Sequence, residues 1–497
     1  MSNGFIRYET KNGVEYASVY KAKRVDGKKT NDVEYLGRVI NKENGIYQNR
    51  MRGVFSFSVE NGYAVAQNHK EPIVKEKLIL DFGDVFLLSE ILKLSGLQDI
   101  FESVSPDNKD TLFALLAHRV LDSCTANRYA SDWLEGSYAR LLYPKAKLNS
   151  QRISEFLSAI GEEDCIRRFF CAYLSFLAKN GERHGILVDS TGLPNDIHFP
   201  LTAINNHNGV ISNETRLILV VDRQTKMPLY FRYAAGNIVD VSTLKTTLKE
   251  LSAFGVNVDF AIVDAGYYSE SNIREMQKAE ISFVVRLVSN RKLYRDLVDN
   301  YVDNLEAAEN MVYYRERLVY IKKVRVDLFG KDGYAYVAID ADRKHDELKK
   351  YARSALENKD ISREKMNSDM RTKGLFILLS SQDISTKEIL PLYYERQAIE
   401  QVFDFSKNNA DLVPVRVHSE ETFRGHLLLS FLASATYIAA TNLLEDSDCC
   451  AMGAFHLFRN LKCKVFEKQS IVLEPNKKMT EIMKHLRVQA PLVVDLW

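Results

Sequence analysis

Tyr393, Arg396, Glu400 and Lys407 lie in the run YYERQAIEQVFDFSK, spaced Tyr-x2-Arg-x3-Glu-x6-Lys. At about 100° per residue on a helix they fall near 0°, −60°, −20° and −40°, so all four share one narrow stripe. The apolar residues of the stretch, Leu392, Ala398, Ile399, Val402, Phe403 and Phe405, take the opposite arc. One face is built to pack, and the other presents a carboxylate between two cations and a phenol. That set suits a phosphodiester, with an anionic metal ligand among groups that hold phosphate. A charged stripe alone is most often a solvated helix face, so further residues must support the chemistry.

The signature resembles the DDE transposases of bacterial insertion sequences, in the group defined by this Tyr-Arg-Glu-Lys spacing. The resemblance implies an RNase H-like α/β core, a mixed sheet flanked by helices. It also implies two further acids, one on the first strand and one after the fourth. The chain offers both: GILVDSTG is an apolar strand ending at Asp189 before a Ser-Thr-Gly turn, and FAIVDAGYYSESNI is a second ending at Asp264 before a Gly turn into a helix. In open α/β sheets, sites lie beyond the carboxyl ends of strands. Asp189, Asp264 and Glu400 are thus the expected catalytic and metal-binding residues. Tyr393, Arg396 and Lys407 are the expected DNA contacts. The cofactor implied is a pair of Mg²⁺ ions, with Mn²⁺ as substitute.

The spacing leaves Asp404 open as a rival to Glu400, because it lies close in azimuth. His198 and His207, downstream of Asp189, read as polar loop residues rather than proton carriers. Pro391 either starts the signature helix or kinks it, and Ser385-Thr386-Lys387-Glu388 reads as a capping box before it. Asn408-Asn409 is the expected stop.

The elements that must position these groups divide the chain into six segments. Residues 1–72 read as a basic module of short strands, and 73–178 as a helical DNA-end-binding domain. Residues 179–288 form the first part of the core, with a hairpin of Arg216–Val221 and Pro228–Tyr233 and a close at Gly236, Asn237 and Asp240. Residues 289–371 are expected as an inserted α+β domain after the fifth strand, with a hairpin turning at Gly330–Gly333. Residues 372–445 complete the core and 446–497 form a helical tail. Some relatives cut the second strand through a DNA hairpin aided by an insertion-domain Trp. Here Trp133 and Trp497 both fall outside that segment, leaving Tyr301, Tyr313, Tyr314 or Tyr320 as substitutes.

The formal charge is +1, but residues 1–53 hold 11 Lys/Arg against 6 Asp/Glu, a net of +5. The six cysteines form no Cys-x2-Cys pair, so no zinc site or disulfide framework is indicated. No signal peptide opens the chain, and a cytoplasmic, nucleoid-associated bacterial protein is expected. Leu427–Leu444 carries no charge over 18 residues, yet its Ser, Thr and Asn residues mark a buried helix rather than a membrane span. The resemblance implies hydrolysis at the ends of an element and joining of the 3′-hydroxyls to target DNA. The partners are double-stranded DNA, as terminal inverted repeats and target, and a second copy of the chain in a homodimer on DNA. No Gly-x4-Gly-Lys-Ser/Thr loop is present, consistent with a reaction that needs no ATP. Two alternatives stay open: a metal-dependent DNA nuclease of the same fold without strand transfer, and a non-catalytic DNA-binding protein derived from a transposase.

Overall fold

Alternating apolar and polar residues dominate the N-terminal stretch, and a meander of strands results. The computed structural model describes residues 4–11, 13–25, 28–49, 53–65, 78–122, 126–178, 183–194, 201–207, 210–357, 362–405, 417, 419–466 and 469–495. The chain forms two compact units. The first comprises Met1–Ile79, Cys463–Leu473 and Pro491–Trp497. Its strands Gly4–Lys11, Val14–Val25, Lys28–Asn41, Ile46–Asn49, Gly53–Ser58 and Gly62–Val65 each pair with the next in one antiparallel sheet. Its core is small: Ala17, Val19, Leu36, Tyr47, Phe55 and Phe57. Gly37 sits at φ +103°, and a Cβ there would meet Gln48 O at 2.1 Å. The register shifts beside it, between Ala17 and Ser18, so the glycine marks a bulge that bends the sheet.

The segment 446–497, expected to be helical, alternates helices with strands. Strand residues 463–465 and Gln469–Val472 come between helices Ala451–Phe458 and Lys477–Leu486, Val493–Asp495 follows the second helix, and these strands pair antiparallel in the first unit. Cys463 and Val465, then Ser470 and Val472, are buried at every second position. That period of two is a strand signal.

The second unit holds Leu80–Lys462 and Glu474–Ala490. It opens with helices, the longest being Gly83–Leu94, Lys109–Leu121, Ser150–Ile160 and Glu163–Leu177. A mixed sheet of ten strands follows: β1 (Arg183–Pro194), β2 (Ala203–His207), β3 (Val210–Asp222), β4 (Pro228–Ala235), β5 (Asn257–Val263), β6 (Ser282–Arg286), β7 (Met311–Tyr314), β8 (Arg317–Asp327), β9 (Asp332–Asp340) and β10 (Leu375–Ser380). Their order is β4-β3-β1-β5-β6-β10-β9-β8-β7, with β2 paired to β3. β5 is parallel to β1 and β6, and the other pairings are antiparallel. The segment expected as an inserted domain therefore adds β7, β8 and β9 to the same sheet, through β10. Every residue of β10 is buried, as a continuous apolar run is where both faces of the sheet are covered.

Helices α1 (Leu244–Ala253) and α2 (Glu270–Lys278) flank β5 in sequence, and α3 (Ile389–Tyr394), α4 (Gln397–Asp404) and α5 (Glu420–Leu443) follow β10. Among the described residues α5 is the one helix long and apolar enough to cross a membrane, and 78% of its apolar window is buried inside the protein. It crosses helix Ser150–Ile160 at backbone distance. A Cβ on Gly425 would lie 1.8 Å from Leu157 O, and one on Gly161 would lie 1.8 Å from Glu421 O. Buried Arg119 reaches α5 as well, with Nη2 3.0 Å from His426 Nδ1.

Candidate active site

Val263 of β5 is in parallel register with Val188 of β1. Asp264 and Asp189 therefore leave neighbouring strands at the same level, and adjacent strands lie about 4.8 Å apart. Asp264 ends its strand and caps a single 3₁₀ turn, Ala265–Tyr267. Asp189 does not end its own: β1 continues to Pro194, with Asp189 opposite Leu219 of β3. The turn expected at Ser190-Thr191-Gly192 is strand because β3 continues alongside it.

The signature segment is two helices rather than one. Ser385 Oγ accepts from Glu388 N at 3.2 Å and donates to Glu388 Oε2 at 2.6 Å, but α3 begins only at Ile389 with Glu388 as its N-cap, so Ser385 closes a turn before the helix rather than the expected capping box. Pro391 lies inside α3, and the break falls later, at Glu395 and Arg396. Arg396 N bonds Tyr393 O at 3.3 Å and Ile399 N bonds Arg396 O at 3.0 Å, tightening the backbone between α3 and α4. Ile399, Val402, Phe403 and Phe405 are buried.

This break sets two signature side chains over the aspartates. The Tyr393 hydroxyl donates to Asp264 Oδ1 at 3.0 Å. Arg396 Nη1 donates to Asp189 Oδ2 at 2.6 Å, and its Nη2 lies 3.8 Å from Asp264 Oδ1. The Arg396 and Asp189 side chains are 17% and 16% exposed, and Asp264 is more open at 38%. Burial pushes the Asp189 carboxyl up to about 6, against the pull of Arg396 and of the Ser190 N–H. Burial alone would lower the Arg396 guanidinium. Asp189, then Asp264, Tyr393 and Glu400, more than offset that and hold it charged. Arg396 Nε is buried and has no hydrogen-bond partner among the described residues.

Glu400 stands one turn further on α4, exposed to solvent, within electrostatic reach of Arg396. Asp404 is exposed on the same helix. Lys407, His198, Trp497 and the Asn408-Asn409 pair lie outside the described residues, as does the side chain of His207. The three carboxylates are not gathered into a ready metal centre: among the described residues no group of three His, Cys, Asp or Glu is placed to share an ion. Two carboxylates on adjacent strands repel, and the Arg396 guanidinium relieves that repulsion by bonding one and facing the other. The donors still suit a hard divalent cation, being carboxylate oxygens without thiolate or imidazole.

Sequence reasoning gave no role to a second layer behind Asp189. Ser190 Oγ donates to Asp240 Oδ1 at 2.6 Å, and Arg216 Nη1 donates to the same oxygen at 2.7 Å. A Cβ on Gly266, two residues after Asp264, would lie 2.9 Å from Asp240 Oδ2. One carboxylate thus touches the segments that carry both aspartates. Its position at the close of the β3–β4 hairpin was visible in sequence, but its partners were not.

A cleft of about 650 Å³ opens beside the Asp264 turn, lined by Ala265, Arg286, Ser289, Tyr294, Arg295 and Arg343 among others. Arg343 is paired with Glu347 at 2.6 Å. Among the described residues Arg286 makes no ion pair, and it lies within electrostatic reach of Tyr393. From the far side, β7 meets the signature. Tyr314 stacks on Tyr394 at 5.6 Å, and Arg315 Nη1 donates to Gln397 Oε1 at 2.5 Å. Tyr313 is 74% exposed, whereas Lys322 covers the ring of Tyr301.

Residues 180–435 match the family described as Transposase DDE domain. No curated protein matches the chain in sequence. Among solved structures, the chain is similar to a cryo-EM structure of the piggyBac transposase synaptic complex with hairpin DNA. The identity is 13% and the TM-score 0.41, over 75% of this chain and 77% of that one.

Proposed function

The chain belongs to the DDE transposase family, and we propose that it is a transposase of a bacterial insertion sequence with the Tyr-Arg-Glu-Lys signature. On this reading the ten-stranded sheet contains an RNase H-like core. Asp189, Asp264 and Glu400 are its catalytic and metal-binding residues, and Tyr393, Arg396 and Lys407 contact DNA. The observation that carries the reading is the pinning of the signature segment onto both strand-borne aspartates, Tyr393 on Asp264 and Arg396 on Asp189.

The chain's own residues divide the work. Asp189 and Asp264 present carboxylate oxygens at one level of the sheet, and Glu400 supplies a third from an exposed helix position. These oxygens would hold Mg²⁺, with Mn²⁺ as substitute. Bound there, divalent ions supply the Lewis acidity that activates water or a 3′-hydroxyl and stabilises the leaving oxygen. Arg396 offsets the charge of both aspartates and supplies a cation beside the carboxylates for a phosphate oxygen. Tyr393 offers a hydroxyl donor beside it. The cleft beside Asp264 carries Arg286, Arg295, Arg343 and Arg371 against Asp299 and Glu347, a net positive lining that suits the phosphates of a DNA strand.

The substrate class is double-stranded DNA, as the terminal repeats of an element and a target. Joining two ends in concert calls for a homodimer on DNA, in the bacterial cytoplasm. The exposed Tyr313 is the tyrosine best placed to stack on a base beside the signature.

The test is incubation of the purified chain with Mg²⁺, a target plasmid and the DNA that flanks its gene. Joining of 3′-hydroxyl ends to the plasmid supports the transposase reading. Nicks without joining assign a nuclease, and binding without nicking assigns a non-catalytic DNA-binding protein.

A further inference from the structure

Successive side chains of a strand face opposite sides of its sheet, so Ser190 in β1 points away from Asp189. Ser190 stands opposite Ile218 of β3, and Arg216, two residues before Ile218, shares that face. Both side chains converge on Asp240. Ser190 Oγ donates to Asp240 Oδ1 at 2.6 Å, and Arg216 Nη1 donates to the same oxygen at 2.7 Å. Arg216 Nη1 also donates to Ser190 Oγ at 3.2 Å, which closes the triangle. The ion pair is largely shielded from water, with the Arg216 and Asp240 side chains 13% and 20% exposed.

Asp240 opens a 3₁₀ turn, Asp240–Ser242. Thr243 fixes that turn, its N–H and its Oγ1 donating to Asp240 O at 3.0 and 2.8 Å. The same turn lies against the one that follows Asp264. A Cβ on Gly266 would stand 2.9 Å from Asp240 Oδ2, so a side chain there would force a shift. Asn272, buried in the first turn of α2, stitches the two turns together. Its Nδ2 donates to Val241 O at 2.9 Å and to Tyr267 O at 2.8 Å. The segments that carry Asp189 and Asp264 are thus tied to one another through Asp240 as well as through the pairing of β1 with β5.

We propose that Asp240 is a positioning residue, which fixes the separation of the Asp189 and Asp264 carboxylates without taking part in the reaction itself. Its own oxygens are accounted for: Oδ1 accepts two hydrogen bonds, and Oδ2 abuts the Gly266 backbone. Two carboxylates at one level of adjacent strands repel, and a shared ion is held well only while their spacing is kept. Arg396 offsets that repulsion at the side chains, and Asp240 restrains the backbone that carries them. Groups behind the ligands of an ion orient those ligands, and losing one costs about 10- to 100-fold in affinity or activity. The inference rests on the reading of Asp189 and Asp264 as carboxylates that hold a divalent ion.

The experiment is Mn²⁺ binding to the full chain, read from the electron paramagnetic resonance of the free ion, beside binding of a fluorescent duplex in EDTA. Asp240→Ala is expected to weaken Mn²⁺ binding about tenfold or more and to leave duplex binding unchanged. Asp240→Glu keeps the charge but carries the carboxylate one carbon further, and it is expected to weaken Mn²⁺ binding as Asp240→Ala does. Mn²⁺ binding at the unmodified strength by folded Asp240→Ala overturns the proposal. The same result for folded Asp240→Glu reduces Asp240 to a counter-charge for Arg216 and overturns it equally. Should both variants fail to fold, Ser190→Ala removes one donor to Asp240 and keeps the Arg216 pair. It is expected to weaken Mn²⁺ binding in the same direction, and an unchanged affinity overturns the proposal. Asp264→Asn separates this outcome from failure of the catalytic reading. If Asp264→Asn loses Mn²⁺ and the Asp240 variants do not, the proposal alone falls; if Asp264→Asn binds Mn²⁺ unchanged, the reading of the site falls with it.

Discussion

Arg396 Nη1 lies 2.6 Å from Asp189 Oδ2, although 207 positions separate the two residues. The contact ties the signature segment to the first strand of the core. It also offsets the repulsion between two carboxylates that stand at one level of adjacent strands. Removing one partner of such a pair leaves the other buried and uncompensated. Asp189 can take up a proton in response, which limits the cost. Arg396→Ala is therefore expected to destabilise the metal-free protein by about 2 kcal/mol, less than the 3–5 typical of a broken buried pair. Urea unfolding in EDTA measures it.

The raised Asp189 carboxyl gives a pH dependence of definite sign. Its folded value, about 6, lies above the ordinary 3.8. Between those values the unfolded chain has lost the proton and the folded chain keeps it, so stability falls as pH rises from about 4 to 6, then levels off. Two units correspond to about 3 kcal/mol as an upper bound. Asp189→Asn is expected to remove this component from the urea midpoint measured at successive pH values in EDTA. A midpoint profile identical to that of the unmodified chain contradicts the assignment.

Tyr393→Phe removes the hydroxyl that donates to Asp264 and leaves the buried ring in place. The expected loss of stability is about 1 kcal/mol, as for one hydrogen bond to a charged acceptor that solvent partly replaces. DNA cleavage is expected to fall more than binding, because the hydroxyl sits at the carboxylate rather than on the bulk of the interface. Comparing cleavage rates at saturating DNA with binding by anisotropy separates the two.

Gly425 lies against the carbonyl of Leu157, and neither side of that crossing is a flexible side chain. Gly425→Ala is expected to cost about 3 kcal/mol, at the upper end of overpacking. A melting temperature within 1–2 °C of the unmodified chain would show that the helices separate freely.

Much of this arrangement was legible in the chain. Apolar runs located β1 and β5, and the helical phase of the signature put Tyr393 and Arg396 on the side that meets the aspartates. The continuation of β1 past Asp189 was not, because polar Ser190 and Thr191 read as a turn until β3 is known to run beside them. The break at Arg396 was also hidden, since Pro391 was the only residue there with an obvious backbone penalty. The Asp240–Arg216 contact joins positions 24 residues apart and depends on hairpin register, to which local pattern is blind. The insertion read as separate because sequence separation says nothing about sheet continuity. Lys407 lies outside the described residues, so its place in the stripe rests on spacing.

The central claim is that Asp189, Asp264 and Glu400 serve one divalent-ion-dependent reaction on DNA. The most direct measurement is cleavage of element-end DNA in Mg²⁺ and Mn²⁺ by Asp189→Asn, Asp264→Asn and Glu400→Gln, each beside its binding curve. The account predicts that all three retain DNA binding and lose cleavage by about a hundredfold or more, some 3 kcal/mol of barrier. Cleavage by Glu400→Gln at the unmodified rate would contradict it and move the third carboxylate to Asp404.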